Sequence, residues 1–115
     1  MEISRHPDIE KDFRKLNRFP APKESLEAWE RLFCLKGIKE TPAIDICSGF
    51  SARKIFKARV VPLKENLGKS KGYRVVFEQC DEASYLILVF SRHGIYYNEM
   101  DLIALIKKRL TPSSL

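Results

Sequence analysis

The stretch that decides the fold is KARVVPLKENLGKSKGYRVVF, residues 57–77. Two runs rich in β-branched and aromatic residues lie on either side of a link that contains Gly68 and ends at Gly72. This arrangement is typical of two strands joined by a turn, and a short link favours antiparallel pairing. The same stretch carries six Lys or Arg and a single acid, Glu65. It therefore predicts a strongly basic pair of strands.

The flanking residues extend this pair into a three-stranded meander. The first two strands are KIFKARVV (54–61) and GYRVVFEQC (72–80), and the apolar run YLILVFSR (85–92) is typical of a central strand. Its link to the second strand, DEAS (81–84), is turn-like. We expect a further short strand near residues 44–47.

Helices are predicted before and after the meander. Residues 7–18 and 23–36 carry apolar side chains at helical spacing, separated by the break RFPAP at 18–22, and Gly37 is the expected stop of the second helix. A last helix is expected after residue 98. Helices segregated from a strand meander predict an α+β fold of two layers, with an N-terminal helical hairpin packed on a small antiparallel sheet and a C-terminal helix.

The positive charge of the chain is concentrated in one segment. The chain has 115 residues, which fits a single domain spanning 1–115, and its formal net charge is +6. Residues 53–74 contain eight Lys or Arg and one acid, whereas the rest of the chain contains thirteen cations and fourteen acids. Phosphate affinity comes from local cations that displace condensed counterions. The segment therefore indicates a polyanion-binding surface, with a merely solubilising strand pair as the alternative.

Several other classes of protein are not supported by the sequence. The three cysteines, Cys34, Cys47 and Cys80, are widely spaced in apolar surroundings, which predicts buried free thiols in a reducing cytoplasm and no zinc site. No apolar run approaches the roughly 18 residues of a membrane span, and the first residues lack the apolar core of a signal peptide. Nucleotide-binding glycine motifs and close acid pairs are also missing. We expect a cytoplasmic protein without membrane partner, cofactor or metal.

The basic strands suggest a site for an RNA phosphodiester. If the three strands are adjacent, their cations converge on one face with two tyrosines at its rim. The cations are Lys57, Arg59, Arg74 and Arg92, and the tyrosines are Tyr96 and Tyr97. Cations can hold the phosphate while aromatic rings stack on splayed bases.

Cleavage would require more than binding. The ribose 2′-OH must lose a proton, the phosphorane carries extra negative charge, and the leaving 5′-oxygen needs a proton. Clustered cations stabilise that charge, and they depress one another's pKa, so a Lys or Tyr among them could ionise near neutrality. His93 titrates near neutral pH unaided, although a surface loop histidine is an equally good interpretation.

Four stretches together resemble the RelE/ParE superfamily of type II toxin–antitoxin toxins. They are KAR (57–59), GKSKGYRVVF (68–77), YLILVFSR (85–92) and YYNEMDLIALI (96–106). The likeness covers the N-terminal helical hairpin, the basic meander, the Gly-Tyr-Arg strand and the closing helix. The turn GKSKG (68–72) looks more like the HigB branch than like RelE itself.

The resemblance implies a metal-independent, ribosome-dependent mRNA endoribonuclease that inhibits translation. The family's catalytic positions match Lys57, Arg59, Arg74 and Arg92, with a C-terminal tyrosine at Tyr96 or Tyr97. Arg59 stands where RelE-like members often have Lys, and arginine cannot serve as a base. Additional RNA contacts are expected from the remaining nearby cations and the histidine: Lys54, Lys64, Lys69, Lys71 and His93.

The resemblance also implies partners and alternatives. A toxin of this fold is held by a cognate antitoxin whose helix covers the basic groove, and the nuclease acts on mRNA at the ribosome. ParE-like relatives share the fold, lack the nuclease residues and inhibit DNA gyrase. A relative that acts only through its antitoxin, without catalysis, is the third alternative.

Overall fold

The structure, a computed structural model, describes residues 1–50, 52–63, 72–92 and 99–111. Within these residues the chain forms five strands and three helices. In chain order they are β1 (Glu2–Arg5), α1 (Ile9–Lys15), α2 (Pro22–Glu40), β2 (Ile44–Cys47), β3 (Lys54–Val60), β4 (Tyr73–Asp81), β5 (Ser84–Arg92) and α3 (Glu99–Leu110). The α+β class, the two N-terminal helices, the meander and the closing helix are thus as predicted.

The described strands form one sheet in the order β1-β5-β4-β3-β2. Strands β2 to β5 are antiparallel neighbours, so the basic pair β3–β4 lies inside the sheet. Strand β1 pairs with β5 in parallel, from Glu2 opposite Ser84 to Arg5 opposite Ile87. The sheet therefore has the predicted meander and one additional parallel edge strand.

Each face of the sheet carries its own hydrophobic core. Helices α1 and α2 cover one face, here called the hairpin face, where Phe33 of α2 and Phe77 of β4 are fully buried with ring centroids 5.1 Å apart. Helix α3 covers part of the other face, here called the α3 face, where Ile106 packs with Val76 and Leu88. Because side chains alternate along a strand, each of the strands β2 to β5 contributes to both cores.

Two expectations about the architecture were wrong. The chain does not begin with a helix, because β1 precedes the hairpin. The domain has three layers rather than two, because α3 lies on the face opposite the hairpin. A smaller difference concerns Gly37, which adopts a left-handed φ of 75° and kinks α2, after which the helix continues to Glu40.

The Gly-Tyr pair at the start of β4 fixes this strand against its neighbours. A Cβ atom added to Gly72 would lie 2.8 Å from the carbonyl oxygen of Val60, so only glycine fits this approach. Tyr73 is fully buried, and its hydroxyl donates a hydrogen bond to the carbonyl of Pro20 at 2.8 Å. The residue that follows, Arg74, is thereby held next to the end of β3.

Candidate nucleic-acid interface

Three of the predicted cations lie together on the α3 face. Lys57 and Arg59 are two residues apart on β3, and Arg59 is directly opposite Arg74 on β4. A cleft of about 120 Å³ between β2, β3 and β4 is lined by all three and by Asp45. Helix α3 covers the apolar part of this face, so the cations occupy the part that it leaves accessible.

The pairing of Arg59 with Arg74 works against stability. Cβ atoms of directly opposed residues in an antiparallel pair lie about 5 Å apart, and like charges there destabilise the sheet by roughly 0.2–1 kcal/mol. A bound anion would relieve this repulsion by adding opposite charge between the two guanidinium groups. The cleft therefore offers two guanidinium groups to one phosphate.

Lys57 is partly neutralised by α3. Its Nζ lies 3.3 Å from Oε1 of Glu99, the first residue of the helix. The two side chains are 36% and 56% exposed, so water screens the pair and its contribution to stability is small. Lys57 is therefore accessible to an anion that can compete with Glu99.

The backbone is unusual next to the cleft. Ala43, which precedes β2 and lines the cleft, has a left-handed φ of 61°. This conformation costs about 1 kcal/mol for a residue with a Cβ. Its carbonyl accepts a hydrogen bond from the Arg59 N–H at 3.4 Å, which joins this segment to β3.

Arg92 does not join the other three cations, and the expectation that all four share a face was wrong. It pairs with Tyr73 and lies on the hairpin face, 9% exposed. Its guanidinium stacks on the Phe19 ring at 4.3 Å from the centroid and on the Tyr73 ring at 5.3 Å. These contacts are typical of a buried cation–π anchor, and Arg92 does not line the cleft.

The physical cause is a bulge in β5. Val76 pairs with Val89 but Phe77 pairs with Ile87, so Leu88 is an extra residue without a partner. A bulge of this kind reverses the alternation of side chains beyond it. Without it Arg92 would have shared the face of Arg74.

The remaining predicted contacts are divided between the opposite face and residues that the structure does not describe. Lys54 is exposed, but alternation along β3 places it on the hairpin face, away from the cleft. The other predicted contacts, Lys64, Lys69, Lys71, His93, Tyr96 and Tyr97, lie outside the described residues.

The cysteines are not buried as expected. Cys34 and Cys80 are exposed and Cys47 is half-buried, all three as free thiols. Cys47 lies on the α3 face opposite Ile55, and burial raises the pKa of its thiol, while the charge of Lys57 acts in the other direction. The raised pKa makes Cys47 a poor nucleophile at neutral pH.

A buried ion pair was missed by the sequence analysis. Asp12 of α1 and Arg109 of α3 are 1% and 7% exposed and join in two hydrogen bonds of 2.7 and 2.8 Å. Asp12 also accepts from the Phe90 N–H, and Arg109 donates to the Leu88 carbonyl, each at 2.8 Å. Asp12 and Arg109 therefore hydrogen-bond to the backbone of β5 at Phe90 and Leu88, in the part of the strand beyond its pairing with β1. The ion pair also fixes α3 to the sheet.

A signal for this pair exists in the sequence. Asp12 follows Ile9 by three residues, and Arg109 follows Ile106 by three, so each charge lies on the buried stripe of its helix. Buried charges require a partner of opposite sign. An acid on one buried stripe and a base on another therefore predict an ion pair between the two helices.

Three searches of the chain found nothing. Among the described residues, no group of three or more His, Cys, Asp or Glu side chains could hold a metal ion. No helix in the described ranges is long and apolar enough to cross a membrane. Comparison with models of protein families, with curated proteins and with solved structures finds no match to this chain.

Proposed function

We propose that the chain is the toxin of a type II toxin–antitoxin system, and that it acts as a metal-independent, ribosome-dependent mRNA endoribonuclease. The observation that carries this proposal is the cleft on the α3 face, where Lys57, Arg59 and Arg74 surround a space of about 120 Å³. The cations are fixed on two central strands, so little reorganisation is needed when a phosphate binds.

Arg74 is the residue best suited to stabilise the transition state. It lies on a central strand, and the buried Tyr73 next to it fixes the backbone. A guanidinium donates two hydrogen bonds to a phosphate and gains strength as the charge of the phosphorane grows. Arg59 directly opposite can share the same phosphate, and Lys57 can hold a neighbouring one.

The order of elements agrees with the resemblance found in the sequence. The resemblance implies two N-terminal helices, a basic meander, a Gly-Tyr-Arg strand and a closing helix, and the chain has these elements in that order. The cognate antitoxin, the ribosome and a cytoplasmic location belong to the same proposal.

One observation favours the alternative, a ParE-like gyrase inhibitor. Arg92 matches a catalytic position of the nuclease branch, yet it is held between Phe19 and Tyr73 on the other face. An inhibitor that binds protein would not need this residue in the cleft. The alternative therefore remains an outcome of the test below.

The test compares variants of the purified chain on translating ribosomes, with primer extension on the mRNA and a gyrase supercoiling assay in parallel. Arg74→Ala removes the proposed transition-state donor, which typically lowers the rate about 100- to 1000-fold. Arg74→Lys should restore only part of the lost cleavage rate, because the lysine charge cannot reproduce the two hydrogen bonds of the guanidinium. Lys36→Ala, an exposed cation of α2, is the matched control.

The outcomes distinguish the two functions. Cleavage within translated codons, lost in Arg74→Ala with an unchanged melting temperature and kept in Lys36→Ala, supports the nuclease. Intact mRNA with inhibited supercoiling supports the ParE-like function. Cleavage that is unaffected by Arg74→Ala contradicts the assignment of the site.

A further inference from the structure

The cleft contains an acid as well as cations. Asp45 of β2 lies directly opposite Lys57 of β3, so both side chains are on the α3 face, and Asp45 lines the cleft together with Arg59 and Arg74. An acid next to a phosphate site repels the ligand and weakens binding. A surface that only binds a polyanion would be better without it.

The simplest structural role for Asp45 is an ion pair with Lys57, and the geometry does not support it. Lys57 is paired with Glu99 at 3.3 Å. Among the described residues, Asp45 makes no hydrogen bond and no ion pair within 4 Å. Its carboxylate is exposed and therefore available to a ligand in the cleft.

The proposed cleavage needs a base that the three cations do not supply. Arginine stays protonated in proteins, which excludes Arg59 and Arg74, and Lys57 already contacts Glu99 at 3.3 Å. Glu99 is itself engaged by Lys57 and does not line the cleft. A carboxylate adjacent to the phosphate-binding cations is a suitable proton acceptor.

We propose that Asp45 is the general base of the RNA cleavage reaction. The inference rests on the proposed function and deepens it. Asp45 takes the proton of the ribose 2′-OH, the 2′-oxygen forms a bond to phosphorus, and the bond from phosphorus to the 5′-oxygen breaks. The leaving 5′-oxygen takes a proton from water, and Asp45 returns its proton to solvent. The products are a 2′,3′-cyclic phosphate and a 5′-hydroxyl.

The test uses Asp45→Asn, which keeps the size of the side chain and removes its basicity. Cleavage on translating ribosomes is expected to fall by about 100- to 10,000-fold, the usual contribution of a general base. RNA affinity should stay equal or increase, because a negative charge leaves a basic cleft. Asp45→Glu should recover part of the rate, and Glu82→Gln, an exposed acid of the β4–β5 turn, is the control for net charge.

A pH profile separates a base from a positioning residue. A side-chain base takes the place of hydroxide as the proton acceptor, so the unaltered chain should cleave at a rate that changes little between about pH 6.5 and 8.5. In Asp45→Asn the 2′-OH must be deprotonated by hydroxide, so the residual rate should rise about tenfold per pH unit.

The results have distinct meanings. An Asp45→Asn variant that cleaves normally, or whose rate falls only with its melting temperature, overturns the inference and leaves the nuclease in place. A low rate that stays independent of pH also overturns it, since Asp45 would then only position the substrate. An unaltered chain that cleaves no RNA refutes the proposed function and the inference together.

Discussion

The ion pair between Asp12 and Arg109 should be a major contributor to stability. Replacing Asp12 with Ala removes two hydrogen bonds from a guanidinium that is 7% exposed and leaves it the longer contact with Asp8 at 4.0 Å, and the Phe90 N–H loses its acceptor. Breaking a buried pair from one side typically costs about 3–5 kcal/mol. For a domain of this size, about 4 °C per kcal/mol predicts a fall of roughly 12–20 °C in melting temperature.

The measurement is a double-mutant cycle by urea denaturation. Asp12→Ala and Arg109→Met should each destabilise the fold strongly, while the double variant should lose less than their sum, because no unpaired charge remains buried. We expect a coupling free energy of about 2 kcal/mol or more. The control is Glu99→Gln, which breaks the more exposed pair with Lys57 and should cost about 1 kcal/mol or less.

The cycle can also refute the reasoning. If Asp12→Ala loses less than about 1 kcal/mol, the carboxylate is solvated in the folded protein and the pair does not fix α3 to β5. If both single variants are strongly destabilised but their effects add, the free energy comes from each residue's contacts with the strand backbone and not from the pair.

Three further predictions concern the basic face. Arg59→Gln removes one member of a like-charge cross-strand pair, so the melting temperature should stay the same or rise by up to about 4 °C. The affinity for RNA should fall, and the slope of log affinity against log salt concentration should change from about −2 to about −1.4 because one phosphate contact is lost. A destabilised variant would contradict the proposed repulsion between Arg59 and Arg74. Glu99→Gln releases Lys57, so RNA should bind more tightly in a filter assay with stability changed by less than about 1 kcal/mol; unchanged affinity would show that the ion pair does not compete. Gly72→Ala places a Cβ atom 2.8 Å from the carbonyl oxygen of Val60, so the free energy of unfolding measured with urea should fall by about 1–3 kcal/mol. An unchanged free energy of unfolding would mean that the ends of β3 and β4 separate easily.

Local patterns were sufficient for most of the elements. Period-two alternation and β-branched residues identified β3 and β4, and the helical spacing of Ile9, Phe13 and Leu16 identified α1. The antiparallel pairing of β3 with β4 was also predicted, whereas the register that sets Arg59 opposite Arg74 comes from the structure. These features depend on residues close in sequence, or on strands joined by a single link.

Strand β1 could not be predicted in this way. Its four residues, EISR, have no apolar pattern, and the strand exists because its backbone pairs with β5 more than 80 residues away. The partner of a strand at a sheet edge is a non-local property, and local propensity is a weak guide to it.

The sequence by itself determined which residues could bind phosphate, because the basic segment and the alternation along β3 place Lys57 and Arg59 on one face. Only the tertiary structure decided which of the other charges join them. The bulge at Leu88 turns Arg92 to the hairpin face, and a run as uniformly apolar as β5 carries no sign of where its alternation reverses. The pairing of β2 with β3 brings Asp45 to the same cleft, since strand pairing can join a carboxylate and cations that are distant in the chain.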